Sequence, residues 1–432
     1  MIYHLFDLLK DFNIPGQRLF SYLSTRAMFA GVVAMVVAFI AGGSIIRLLQ
    51  RKQIGETIRD LGLEGQMQKK GTPTMGGLII IVAVLSGALL FCNLANIYVQ
   101  LLLLTTIWCG AMGFADDYIK VFRHNKEGMS AKMKLALQLL LGLVIGMTVW
   151  LSNDIVVREK VQADEGAALT SDSSTLTADS EKVVTSGRWA SEDVVKTTTT
   201  TIPFVKSHEF DYRSLSPFKG RWGWYCKWGI YVLMIVIVIM ACSNCVNLTD
   251  GLDGLSAGTS AIVGMVIGIM AWLGGNLVNS EYLNIMYMPG TGEVAVFMAA
   301  FVGALLGFLW YNSFPAQVFM GDTGSLTIGG IIGVSAILIR KELLLPLLGG
   351  IFLVEGLSVI VQRYYFKFTK KKYGEGRRIF KMAPLHHHFQ KEGVPAAIKS
   401  PARALPESKI TARFWIVGII LAVSTLALLK IR

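Results

Sequence analysis

Apolar positions in this chain gather into long unbroken runs, such as 28–46, 135–151 and 231–241, without the alternation of a half-buried strand. About 20 consecutive apolar residues span the hydrocarbon core of a bilayer. Ten segments approach that length, near 24–46, 76–95, 98–115, 133–152, 228–247, 255–275, 294–311, 323–340, 343–362 and 413–431. The pattern predicts an all-α integral membrane protein of about ten transmembrane helices. Pro346 and Gly349-Gly350 inside the ninth segment predict a bend there.

Composition supports this reading. The 432 residues are 53% hydrophobic and only 16% charged, against about 25% charged in a soluble domain. Soluble, disordered, collagenous and disulfide-stapled secreted classes are thereby excluded. The net charge of +12 matters through its placement. Segment 363–413 holds thirteen Lys/Arg against three acids, whereas 153–213 holds eleven acids against seven bases. Basic loops stay cytoplasmic, and the three richest, 47–70, 120–134 and 363–413, fall on one side if ten spans alternate. Both termini are then expected to be periplasmic, with the functional face cytoplasmic. The basic residues flank spans and form no separate domain, so no nucleic-acid partner is expected.

Three regions follow: a four-span half at 1–152, a periplasmic low-complexity insertion at 153–226, and a six-span half at 227–432. The insertion, rich in Ser, Thr and acids with five threonines at 197–201, is expected to be mostly solvated, with some short strands. No signal peptide is expected, since Asp7, Lys10 and Asp11 interrupt the first apolar run. The five cysteines have no framework spacing, and no disulfide is expected.

Polar residues at the ends of the spans carry the candidate chemistry. An Asp at the centre of a membrane helix costs roughly 2.5–3.5 kcal/mol, which makes such residues functional candidates. Asp116 and Asp117 end the third span, and on a helix Lys120 reaches both carboxylates. Two adjacent acids suit a shared Mg²⁺ or a general base, although a solvated helix end is the plain alternative. The fifth span runs into Asn247-Leu-Thr-Asp-Gly-Leu-Asp-Gly254, where Asn247, Asp250 and Asp253 recur every third residue. Turn formation alone also favours Asp-Gly. After the seventh span, Phe314 and Phe319 offer ring faces for a planar base, and Asp322 between glycines offers an exposed carboxylate. The basic loop contains Pro384-Leu-His-His-His-Phe389, whose three histidines cannot all face one Zn²⁺ on regular structure and suit donors to an anionic group better. All these clusters share the cytoplasmic side. They describe a site for a Mg²⁺–diphosphate carrying a planar base, with neither a P-loop nor a dinucleotide fingerprint.

In these residues the chain resembles the polyprenyl-phosphate N-acetylhexosamine-1-phosphate transferases, and most closely their phospho-N-acetylmuramoyl-pentapeptide branch. The matching blocks are Lys70-Gly-Thr-Pro-Thr-Met-Gly-Gly77, Asp116-Asp117, Asn247-Leu-Thr-Asp-Gly-Leu-Asp-Gly254, Phe319-Met-Gly-Asp-Thr-Gly-Ser325 and Pro384-Leu-His-His-His-Phe389. The resemblance implies transfer from UDP-N-acetylmuramoyl-pentapeptide to undecaprenyl phosphate in the bacterial inner membrane, with Mg²⁺ as cofactor, giving lipid I and UMP. It leaves room for a homodimer. It implies Asp116, Asp117 and Asp322 as catalytic residues, Asp322 also as metal ligand. The implied substrate-binding residues are Lys69, Thr74, Lys120, Lys132, Asn247, Asp250, Asp253, Asn312, Phe319, His386, His387 and His388. It also gives the ninth-span bend a reading as a groove for the prenyl chain, beside that of a packing bend. The segment 153–226 is longer than the resembled family leads one to expect, and Glu355 has no evident role. A sister UDP-N-acetylglucosamine transferase and a secondary transporter are the alternatives; the transporter predicts midplane charges and internal repeats, neither of which the sequence shows.

Overall fold

A computed structural model of the chain describes residues 1, 3, 4, 17–52, 71–123, 125, 127–157, 196–203 and 209–429. The described residues form thirteen α-helices and one two-stranded sheet. The helices are α1 (Leu23–Arg51), α2 (Gly77–Phe91), α3 (Ile97–Phe122), α4 (Ala131–Leu151), α5 (Gly220–Thr249), α6 (Leu255–Gly274), α7 (Leu277–Leu283), α8 (Gly292–Asn312), α9 (Gly321–Leu338), α10 (Leu345–Leu348), α11 (Gly350–Tyr373), α12 (Leu385–Gln390) and α13 (Glu407–Leu428). Eight of them are long and apolar enough to cross a membrane. The chain is an all-α integral membrane protein.

Each of the ten expected spans falls on a helix, but two depart from a simple crossing. The second is α2, whose 15 residues rise about 22 Å at 1.5 Å per residue, short of the roughly 30 Å apolar core. The ninth is broken between Glu342–Leu348 and Gly350–Tyr373, whose axes meet at 79°. The Gly349-Gly350 pair lies at the break, while Pro346 falls in the first turn of α10, where a proline suits a helix start.

Packing follows the placement of small residues. In α1 the buried positions Ala30, Ala34, Ala38 and Gly42 recur every four residues and form one stripe, while Ile40 on the opposite face is 73% exposed. This stripe lets α8 approach closely, and a Cβ on Gly303 would meet the Gly31 carbonyl at 2.0 Å. Helix α9 is the centre of the bundle: all residues from 323 to 338 are buried, against α3 and α5.

Within 153–226 the expected short strands are present but the threonine run is not solvated; residues 158–195 and 204–208 lie outside the described residues. The threonines at 197–201 are all buried, none more than 9% exposed. Strand β1 (Thr199–Thr201) pairs antiparallel with β2 (Glu209–Asp211). Thr201 N–H and Thr200 Oγ1 both donate to the Arg340 carbonyl, at 3.0 and 3.1 Å, and Lys341 Nζ donates to Thr201 Oγ1. A β-branched, hydroxyl-bearing run suits a strand that must satisfy a helix end. Helix α5 already begins at Gly220, so the last residues expected in the insertion belong to a span.

Candidate active site

Helix α3 continues through Asp116, Asp117 and Lys120 to Phe122, so the two acids sit on consecutive helical positions with different directions. The start of α9 comes against them because two glycines permit it. A Cβ on Gly113 would lie 2.2 Å from the Asp322 carbonyl, and one on Gly77 would lie 2.1 Å from Gly324 N. Asp117 turns toward α9 and accepts from Asp322 N–H at 3.1 Å, Thr323 N–H at 2.9 Å and Thr323 Oγ1 at 2.6 Å. It therefore caps the otherwise unsatisfied donors of the most buried helix, where an anion also meets the positive end of the helix dipole. The expected contact of Lys120 with both neighbouring acids is realised for Asp116, at 2.6 Å; its second carboxylate is Asp322, at 3.1 Å.

Asp116 is wholly buried. Its Oδ1 accepts from Met129 N–H at 2.6 Å and lies 3.0 Å from Lys134 Nζ, and its Oδ2 meets Lys120. Asp322 was expected to be exposed, yet its side chain is only 15% accessible. Its Oδ2 accepts from Lys134 Nζ at 2.6 Å and its Oδ1 from Asn247 Nδ2 at 3.0 Å; Asn247 Nδ2 also donates to Ser325 Oγ at 2.8 Å. One carboxylate oxygen from each of Asp116, Asp117 and Asp322 lies within 4.8 Å of the others. Three like charges so close repel strongly unless compensated. Two lysines neutralise two, and the charge left over, with hard oxygen donors, fits a divalent cation. The cluster can hold a metal.

A second group of residues adjoins the first. The turn after α5 places Gly254 at φ +73°, and Gly254 N–H donates to Asn312 Oδ1 at 3.0 Å while Asn312 Nδ2 donates to the Val318 carbonyl at 2.9 Å. Asn312 thus ties the 250–254 turn to the stretch before Phe319. Asp253 is buried and accepts from Ala316 N–H at 3.0 Å, and its own N–H donates to Glu407 Oε1 at 2.6 Å. Phe319, half-buried, is held by backbone bonds from its N–H to the Pro73 carbonyl and from Gly76 N–H to its own carbonyl, both 2.8 Å. Thr74, in the same loop, is buried. Asp250 caps α5 and is half-buried.

The three histidines divide as their positions on α12 require. His386 and His388 are buried and His387 is half-buried, with Nδ1 2.9 Å from Gln390 Oε1. His388 Nδ1 accepts from Lys381 N–H at 3.0 Å, which leaves Nε2 to donate to the Ser400 carbonyl at 2.8 Å. A ring so committed is neutral, and burial holds its pKa below the ordinary histidine value. His386 packs on the 247–254 turn and on Glu355.

Of the residues expected in the site, the structure thus gathers Asp116, Asp117, Lys120, Asn247 and Asp322 into one cluster, with Thr74, Asp250, Asp253, Asn312, Phe319 and His386 around it. Lys132 is exposed, and Lys69 lies outside the described residues. Lys134, Thr323, Ser325, Glu355 and Glu407 were missed. For Lys134 a signal existed: it precedes the buried Gln138, Leu141, Gly142 and Ile145 at helical spacing, whereas Lys132 is off that face.

Three carboxylates and two lysines at one end of a membrane bundle can hold a metal ion and anionic oxygens, which is what a membrane-embedded phosphoryl-transfer enzyme needs. The family model for glycosyl transferase family 4 matches residues 193–340, and signature 1 of the phospho-N-acetylmuramoyl-pentapeptide-transferases matches 69–81. The chain is 53% identical over 435 residues to the phospho-N-acetylmuramoyl-pentapeptide-transferase of Parabacteroides distasonis, covering 100% of both chains. It is 51% identical over 435 residues to that of Porphyromonas gingivalis and 50% over 433 residues to that of Flavobacterium psychrophilum, again covering 100% of each chain. This chain belongs to the phospho-N-acetylmuramoyl-pentapeptide-transferase family. End-to-end coverage also means that the long segment 153–226 is no addition peculiar to this chain.

Proposed function

We propose that this enzyme transfers phospho-N-acetylmuramoyl-pentapeptide from UDP-N-acetylmuramoyl-pentapeptide to undecaprenyl phosphate, giving lipid I and UMP, the first membrane step of peptidoglycan synthesis. Its place is the bacterial inner membrane, with the acid–lysine end of the bundle facing the cytoplasm and both termini the periplasm. The observation that carries the reading is the meeting of Asp116, Asp322, Lys120 and Lys134 at one end of a bundle whose full length matches these transferases.

In the transfer an oxygen of the lipid phosphate forms a bond to the sugar-bearing phosphorus while the bond from that phosphorus to UMP breaks. Such a reaction asks mainly for alignment and charge compensation. Asp116 takes the proton from the lipid phosphate, held in place by Met129 N–H. Lys120 and Lys134, paired with Asp116 and Asp322, exchange those partners for the anionic oxygens of the diphosphate. Asp322, oriented by Asn247, is the principal Mg²⁺ ligand, with Asp116 and Asp117 in reach; bound there, Mg²⁺ supplies charge neutralisation and orientation for the diphosphate. Asp117 fixes the start of α9 and so the direction of Asp322. Phe319 stacks on uracil, and Asp250, Asp253 and Asn312 frame the nucleoside. Lys69, Thr74, Lys132 and the histidines 386–388 steady the phosphates and sugar. The break between α10 and α11 opens a groove for the prenyl chain. The halves 1–152 and 227–432 act together on the substrate, and the chain works as a monomer or homodimer.

UMP release by detergent-purified protein tests this. Release is expected with UDP-N-acetylmuramoyl-pentapeptide, undecaprenyl phosphate and Mg²⁺, and none with UDP-N-acetylglucosamine. The opposite donor preference would overturn the substrate assignment.

A further inference from the structure

Glu355 sits on the buried face of α11, with Ile351, Phe352, Gly356 and Ser358, shortly beyond the break from α10. It is 0% exposed, and a carboxylate so buried persists only with partners. Both its oxygens face one residue. His386 N–H donates to Oε1 at 3.1 Å and approaches Oε2 at 3.4 Å, while His386 Nδ1 lies 3.2 Å from Oε2. His386 is likewise 0% exposed, and neither Nδ1 nor Nε2 has a hydrogen-bond partner among the described residues, so the approach of Nδ1 to Oε2 is a close contact and not a hydrogen bond. The other edge of the ring lies on Gly251, where a Cβ would stand 2.2 Å from Nε2. The neighbouring turn of α11 is seated as firmly, since a Cβ on Gly356 would come within 2.5 Å of Cys245 Sγ, two residues before Asn247. The carboxylate, the ring and the 247–254 turn therefore form one stack leading from the broken helix to the residue that orients Asp322.

We propose that Glu355 is a positioning residue for the transfer, acting through His386. Its carboxylate holds the His386 backbone N–H and so seats the ring against Gly251, in the turn that carries Asn247, Asp250 and Asp253. The lipid-groove helix and the nucleotide turn are thereby set at one spacing by a single carboxylate. The inference rests on the substrate-binding role given to His386 above.

A cycle of four purified proteins tests it: wild type, Glu355→Gln, His386→Ala and the double variant. UMP release is measured against UDP-N-acetylmuramoyl-pentapeptide concentration, and thermal midpoint is measured alongside. Glutamine keeps one oxygen for the His386 N–H but removes the carboxylate charge that faces Nδ1. The expected result is a roughly tenfold loss in kcat/KM, carried mainly by KM, with an unchanged midpoint. The same substitution costs nothing further once His386 is alanine. Gly251→Ala approaches the ring from its other side; a loss of kcat/KM that likewise disappears on the His386→Ala background is expected. Wild-type kinetics in Glu355→Gln, or an undiminished loss on the His386→Ala background, would overturn the proposal. UMP release by the wild type with either of those outcomes overturns the Glu355 assignment alone, whereas a silent wild type overturns the reaction and the positioning role together.

Discussion

Two buried charge clusters, at opposite ends of this bundle, are balanced in different ways. Away from the acid–lysine cluster, Arg26 and Glu293 form a closed bidentate pair, at 2.6 and 3.0 Å, both under 9% exposed. Glu293 Oε2 accepts a further bond from Asn93 N–H at 2.8 Å, and Arg26 reaches the Phe91 carbonyl. One cation there meets one anion, and backbone groups from the α2 end add two further bonds, leaving Arg26 Nε without a hydrogen-bond partner among the described residues. At the other end, three carboxylates share two lysines, and Lys120 and Lys134 keep 34% and 19% of their side-chain surface open. The first arrangement is balanced in charge without a ligand. The second is short of one positive charge and is reachable, which is what a charged ligand requires.

Substitutions can break this contrast. Asp116→Asn should lower UMP release at least roughly 10³-fold, because the base and an anchor of both lysines are lost together, with no loss of folded protein in gel filtration. A rate near wild type would remove Asp116 from the mechanism. Arg26→Met should act on stability instead, by about 3–5 kcal/mol, since it strands a buried carboxylate. Adding Glu293→Leu should recover most of that in thermal unfolding, whereas no apolar pair at Asp116 and Lys120 should recover turnover. Failure of the double variant to recover would make the Arg26–Glu293 pair more than structural.

Smaller effects sharpen the picture within the site. Asp117→Ala should cost about 1–2 kcal/mol of stability through the uncapped start of α9, separating it from Asp322→Asn, which should leave the unfolding midpoint unchanged. Equal midpoints would contradict the capping role. The smallest effect concerns His388. Its folded pKa lies below the unfolded one, so its contribution is complete above the ordinary value of about 6.5 and is lost as pH falls through and below it. Unfolding midpoints from pH 8 to 5 should drop more for wild type than for His388→Gln; parallel curves would show that the ring does not titrate with unfolding.

What the sequence made legible divides along physical lines. Long apolar runs mark spans without tertiary information, and all ten fall on helices. The short α2 and the broken ninth span differ because hydropathy counts residues, not helical continuity. The Asp116–Lys120 pair was readable from i,i+4 geometry. That Asp117 turns instead to the end of α9 was not, since it depends on Gly113 and Gly77 admitting that helix. The helical phase of α4 distinguishes Lys134 from Lys132, and the buried face from Gln138 onward carried that information. Composition misled at 197–201: threonines read as solvated, but their hydroxyls and N–H groups complete the polar end of α9. Glu355 and His386 meet only through tertiary structure, and nothing local announces it.

The most direct test of the acid–lysine cluster is UMP release by wild type and Asp322→Asn across a Mg²⁺ titration. Wild-type activity should appear with Mg²⁺ and vanish with EDTA, while Asp322→Asn should stay below roughly 1% of the wild-type rate at every concentration. Near wild-type turnover by Asp322→Asn, or metal-independent turnover by the wild type, would contradict the assignment of this cluster as the centre of phosphoryl transfer.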